Sequence, residues 1–124
     1  MMKRFLMGAV LLVGMAAPAL AQVTPAQIAG TYTYTGTDTD GSAYSESGKV
    51  TVKAAPSGAL EIVYDGGDYV GVGQVTGNVL AIAAVADGKN SIMLLNVNPD
   101  GTLTGKWWRR KDAGAKGTES WKKQ

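Results

Sequence analysis

The sequence predicts an all-β fold, an antiparallel eight-stranded up-and-down meander closing into a small barrel. Three observations predict it. Apolar and polar residues alternate with period two over short segments, and no stretch carries a helical period of any length. Turn residues interrupt these segments at regular intervals. The links are also too short for the crossover of about a dozen residues that parallel pairing needs, so successive strands are neighbours. A meander with one hydrophobic face removes its exposed edges most simply by closing on itself.

The folded domain is expected to be residues 22–124, one domain. Met1 to Ala21 reads as a secretory signal peptide: Lys3 and Arg4 give a basic start, Phe5 to Met15 form an apolar run, and Ala19-Leu20-Ala21 supplies small residues for cleavage. The run of 11 residues is short of the roughly 20 that a membrane span needs, and without Cys no lipid can be attached through a thiol. A periplasmic or secreted location follows as the expectation. Removing Lys3 and Arg4 takes the net charge from +2 to zero, so no general affinity for nucleic acid is implied.

Gln22 to Gln27 reads as a short polar lead. Strand segments then run Ala29 to Thr37, Ala43 to Ala54, Leu60 to Tyr64, Asp68 to Thr76, Asn78 to Ala86, Asn90 to Val97, Thr102 to Arg109 and Gly117 to Lys122. The alternation points Val50, Val52, Leu60, Ile62, Tyr69, Leu103 and Trp107 inward. The fifth and sixth segments are nearly continuous apolar runs, as expected where both faces are covered. Asp40-Gly41, Ser57-Gly58, Asp65-Gly66-Gly67, Gly77-Asn78, Asp87-Gly88 and Asn98-Pro99-Asp100-Gly101 carry the residues that tight turns demand. An outer-membrane barrel is rejected, because several strands are polar on both faces and no outward apolar band repeats.

The absences restrict the chemistry. With neither His nor Cys, there is no Ser-His or Cys-His nucleophile pair and no zinc site of the usual kind. Asp40, Asp65, Asp87 and Asp100 each precede Gly and read as turn caps. Asp38-Thr-Asp40-Gly41-Ser42 is like the start of a calcium loop but has Lys49 where the distal Glu belongs, so a hairpin tip is the better account. Glu46 would point inward in a regular strand, whereas a bulge at Ser45-Glu-Ser-Gly48 turns it outward; the bulge is preferred. No catalytic residue, metal site or cofactor is called, and the chain is read as a non-enzyme.

Two sites remain. From Lys106 to Gln124 seven basic residues stand against Asp112 and Glu119, a net +5 that leaves −5 on residues 22–105. Within it Trp107 shares the Leu103 face and Trp108 the opposite one. Trp108, Arg109, Arg110 and Lys111 therefore form a candidate docking surface for an anionic envelope or extracellular partner: a protein, a glycan or a lipid headgroup. The alternative is a carrier of a small apolar ligand inside the barrel, lined by Tyr32, Tyr34, Tyr69 and Trp107. Mid-strand Gly71 and Gly73 and the alanines from Ala81 to Ala86 either curve the sheet or leave room for that ligand.

Ile28-Ala-Gly30-Thr-Tyr32, Asp40-Gly41-Ser42-Ala-Tyr44-Ser45, Tyr69-Val-Gly71-Val-Gly73 and Asn98-Pro-Asp100-Gly101-Thr-Leu103-Thr-Gly105-Lys-Trp107 resemble a group of small exported bacterial proteins called fibronectin-binding-like. More distantly, Gly30-Thr31-Tyr32 and the meander look like the calycin barrels of the avidin and lipocalin type. Tyr32 stands where those barrels usually carry Trp, and loop tryptophans for biotin are missing. The resemblance therefore implies the fold and carries over neither biotin nor fibronectin binding.

Overall fold

A computed structural model describes residues 22–86 and 89–124. The signal-peptide segment and the Asp87-Gly88 turn lie outside the described residues. Eight strands, β1 (Gly30–Thr37), β2 (Gly48–Ala54), β3 (Leu60–Tyr64), β4 (Tyr69–Thr76), β5 (Val79–Ala86), β6 (Lys89–Val97), β7 (Leu103–Arg109) and β8 (Asp112–Lys123), form a closed barrel in sequence order. Each strand pairs antiparallel with the next, and β1 pairs with β8, Tyr34 opposite Trp121 and Gly36 opposite Glu119. The all-β up-and-down barrel expected from the sequence is the observed fold.

Alternation places one face of each strand inside. Val50, Val52, Leu60, Ile62, Leu80, Leu95, Leu103 and Trp107 are buried together, as are Tyr32, Tyr64 and Trp121. Tyr69 is on the inner face, opposite Tyr64, but stands at one rim and keeps 42% of its surface exposed. Asp65 takes the left-handed conformation (φ 50°) in the β3–β4 turn, which a short polar side chain tolerates. Its carboxylate reaches across to β2, accepting from the Lys49 amide at 3.0 Å, rather than capping its own turn. Asp40 and Asp100 do cap locally, accepting from the amides and hydroxyls of Ser42 and Thr102.

Four expectations are corrected. The polar lead contains a one-turn helix, α1 (Pro25–Ile28), with Thr24 and Gln27 forming a reciprocal capping box and Pro25 in the first turn. It buries Val23 and Ile28 and plugs one end of the barrel. The second strand begins at Gly48, not Ala43; Ala43 makes only an isolated bridge to Thr37, and Glu46 is exposed in the intervening loop. The last strand begins at Asp112, five residues earlier than expected, with a register irregularity at Trp108/Arg109 absorbing the tight β7–β8 turn.

The fourth correction concerns the outer surface. β5 and β6 are covered on their inner faces only. Val70, Val72, Val85, Ile92 and Leu94, each 43–64% exposed, form a contiguous apolar face over β4, β5 and β6. Register joins them: Val70 lies opposite Val85, Ala83 opposite Ile92, and Ile92 opposite Trp108. An outward apolar face therefore exists, on one side of the barrel; outward positions on β1, β2 and β8 carry Thr, Lys and Ser. Among the described residues no helix is long and apolar enough to cross a membrane.

Candidate functional site

The end opposite α1 is open and leads to an interior cavity of about 300 Å³. Its walls are aromatic because three inner-face glycines leave space for rings. A Cβ on Gly117 would meet the Trp107 indole at 2.3 Å, one on Gly48 the Tyr34 ring at 2.6 Å, and one on Gly36 the Tyr44 ring at 2.9 Å. Each glycine thus lets a ring lie flat against the sheet. Trp107 is anchored there by its indole N–H, which donates to the Thr37 carbonyl at 3.2 Å. Tyr34 stands edge-on to Tyr44 and Tyr64, and Tyr64 edge-on to Tyr69, with centroids 5.0–6.2 Å apart. Met93, Ile82 and Ala84 complete the apolar lining.

Glu119 forms part of this lining. The sequence Gly117-Thr-Glu119-Ser-Trp121 alternates, so Glu119 points inward between a glycine and a tryptophan, and only 4% of it is exposed. Its carboxylate Oε1 accepts from the Tyr64 hydroxyl at 2.6 Å and the Trp121 indole N–H at 2.8 Å, and Oε2 accepts from the Tyr44 hydroxyl at 2.9 Å. Burial raises the Glu119 carboxyl above its ordinary value of 4.5, and the three donors pull it part of the way back. Burial, reinforced by the carboxylate, also raises the Tyr44 and Tyr64 phenols. Burial first and the hydrogen bond to Asp65 second raise Tyr34. These tyrosines are therefore neutral donors.

The rim carries Asp38, Glu46 and Arg109. Arg109 follows the inward alternation from Trp107, and its guanidinium carbon lies 5.1 Å from the Trp107 ring centroid. Of the candidate docking residues, Arg109 borders the cavity mouth and also lines an outer groove with Trp108 and Arg110; Trp108 faces outward under Lys116 (5.8 Å), and Arg110 and Lys111 are exposed at the turn. Of the interior candidates, Tyr34, Tyr69 and Trp107 line the cavity. Tyr32 does not. It is buried at the plugged end, donating to the Ile28 carbonyl at 2.6 Å and packing on Trp121 (5.4 Å).

Both mid-strand glycines serve close packing: a Cβ on Gly73 would press on the Ala81 carbonyl and Leu80 at 3.1 and 3.2 Å, and one on Gly71 on the Ala83 carbonyl at 2.7 Å. Of their neighbours on β5, Ala84, opposite Gly71, lines the cavity. The residues not singled out from the sequence are Tyr44, Met93 and above all Glu119. Alternation back from Trp121 marks Glu119 as inward, a signal present in the sequence. Among the described residues no three His, Cys, Asp or Glu side chains are grouped to hold a metal ion.

No family model matches the chain, and none of the curated proteins is similar to it, so the fibronectin-binding-like resemblance finds no support there. Among solved structures, the chain is similar to the wild-type fluorescent protein UnaG, with a TM-score of 0.49 and 10% identity over 77% of this chain and 96% of that one.

Proposed function

We propose that the protein is an exported, non-catalytic carrier that holds a small, largely apolar ligand in the aromatic cavity at the open end of its barrel. The observation that carries this reading is the asymmetry of the interior. One end is plugged by α1 and packed with aliphatic side chains and Tyr32; the other is left hollow behind aromatic walls. At about 300 Å³ the space stands at the small end of ligand cavities. The neutral fluorophore N-phenyl-1-naphthylamine is expected to bind saturably with increased emission. Ala84→Phe, or independently Ser91→Phe, places a ring in the space and should abolish that response while the far-ultraviolet circular dichroism stays unchanged. Equal binding by wild type and both filled variants would place the fluorophore elsewhere and reject the reading.

The apolar outer face favours a second reading, docking to an anionic lipid surface. Val72 and Ile92 are 64% and 57% exposed beside Trp108, and Arg110, Lys111 and Lys116 are exposed next to them. Apolar area with adjacent cations fits a headgroup boundary. Cosedimentation with phosphatidylglycerol vesicles should exceed that with phosphatidylcholine and fall with salt, as the screening length drops from about 10 Å at 0.1 M to about 3 Å at 1 M. Arg110→Glu with Lys111→Glu should reduce it several-fold. Recovery that ignores both salt and charge reversal counts against this surface.

A further inference from the structure

The cavity's charge and its aromatic walls specify a ligand class. We propose that the ligand carries a protonated amine on a flat apolar body, with the ammonium directed to Glu119. This rests on the interior-carrier reading and adds to it the chemistry of recognition.

Three features converge. First, the carboxylate is built into the fold and retains acceptor capacity. Oε1 already accepts two hydrogen bonds and Oε2 only one among the described residues, while a carboxylate oxygen can take two. An ammonium entering the cavity would complete Oε2; a carboxylate or phosphate would face a buried like charge in its place. Second, the walls are faces and edges of Tyr34, Tyr44, Tyr69 and Trp107, and ring faces attract cations. Arg109 already provides the example, its guanidinium 5.1 Å over the Trp107 ring. Third, the charged lining comprises Asp38, Glu46 and Glu119 against Arg109, three acids to one base, so the mouth draws cations inward. The local sign is opposite to that of the basic C-terminal turn on the outer surface.

The experiment compares three ligands of nearly one shape by calorimetry: tryptamine (protonated), 3-ethylindole (neutral) and indole-3-propionate (anionic). Tryptamine is expected to bind about tenfold or more tightly than 3-ethylindole, equivalent to about 1.4 kcal/mol, with indole-3-propionate weakest. Glu119→Gln keeps the shape and acceptor of the side chain, and should bring tryptamine to within about threefold of 3-ethylindole without weakening the neutral ligand. Asp38→Asn with Glu46→Gln, at exposed positions, should reduce the preference partially and serves if the Glu119 variant does not fold. Should 3-ethylindole or indole-3-propionate match tryptamine in the wild type, the cation proposal fails while the carrier reading stands. Should none of the three bind and N-phenyl-1-naphthylamine also fail, the carrier reading falls with it.

Discussion

Replacing Trp121 by Ala is expected to destabilise the barrel by about 3–5 kcal/mol, the range for deleting a large buried aromatic. Trp121 is among the largest side chains in the core at 1% exposure, touches the Tyr32 and Tyr64 rings at 5.4 and 6.0 Å, and donates to Glu119. Against a total of about 5–15 kcal/mol for a domain of this kind, the loss is a large fraction. The thermal midpoint should fall by on the order of 15–30 °C. Trp108→Ala, on the outer face, should cost about 1 kcal/mol or less. Calorimetric scans giving similar midpoints for the two variants would contradict the inward and outward assignment of β7 and β8.

Glu119 carries the second large effect. Glu119→Ala removes the carboxylate acceptor of the Tyr44 and Tyr64 hydroxyls and the Trp121 indole N–H. Tyr64 keeps only the weak Met93 sulfur at 3.5 Å, and the Tyr44 hydroxyl is part-buried. The Trp121 N–H is therefore the full buried orphan, at about 1–3 kcal/mol, with the two hydroxyls adding less. Glu119→Gln retains an acceptor, and the Tyr44 hydroxyl can reorient to accept from the new amide, so it should lose far less. The same pair separates charge from shape through pH. The folded state raises the Glu119 carboxyl, burial being the main cause. Its stabilising contribution is therefore complete below the ordinary value of 4.5 and is lost as pH rises through the raised folded value. Tyr44, Tyr64, Trp121 and Asp65 are the groups that act on it. Asp40 and Asp100 work in the opposite sense, held below their ordinary values by hydrogen bonds from Ser42 and Thr102, and they remain in the variant. The difference between wild type and Glu119→Gln should thus shift against wild type as pH rises above 4.5. A difference that is flat with pH would mean the carboxyl is not buried as described.

The barrel was legible in the sequence because its signals are local. Asp-Gly and Asn-Pro-Asp-Gly mark their own turns, and Val50-Thr-Val52 or Leu103-Thr-Gly-Lys-Trp107 declare an inner face within a few residues. The parts that stayed hidden depend on distant partners or on too few residues. Glu119 meets its tyrosine donors 55 and 75 residues away, across the closed barrel, so its function as a hydrogen-bond hub has no local mark. The α1 turn is four residues long, too short to show a period, although Thr24-Pro-Ala-Gln27 spells its cap. The start of β8, from Asp112 to Lys116, is Asp, Ala, Gly and Lys, which read as a loop until β7 is laid beside them. The apolar runs of β5 and β6 resembled strands covered on both faces; periodicity cannot tell a covered outer face from one left bare.

On the proposed carrier reading, the closure of β8 on β1 would tie binding to the order of assembly. The carboxylate and the Trp121 indole both arrive on the last strand, whose partners on β1 precede them by more than eighty residues. Pairing over such a separation is slow to form, because the chain entropy is lost before the contacts are made. Until it forms, the first seven strands enclose no acidic floor, the Tyr44 hydroxyl lacks its carboxylate acceptor and the Tyr64 hydroxyl has only the weak Met93 sulfur. A ligand directed to Glu119, as proposed, would therefore recognise only completed barrels. Its occupancy would register the finished fraction of a population still maturing, and by mass action would hold the final strand in place.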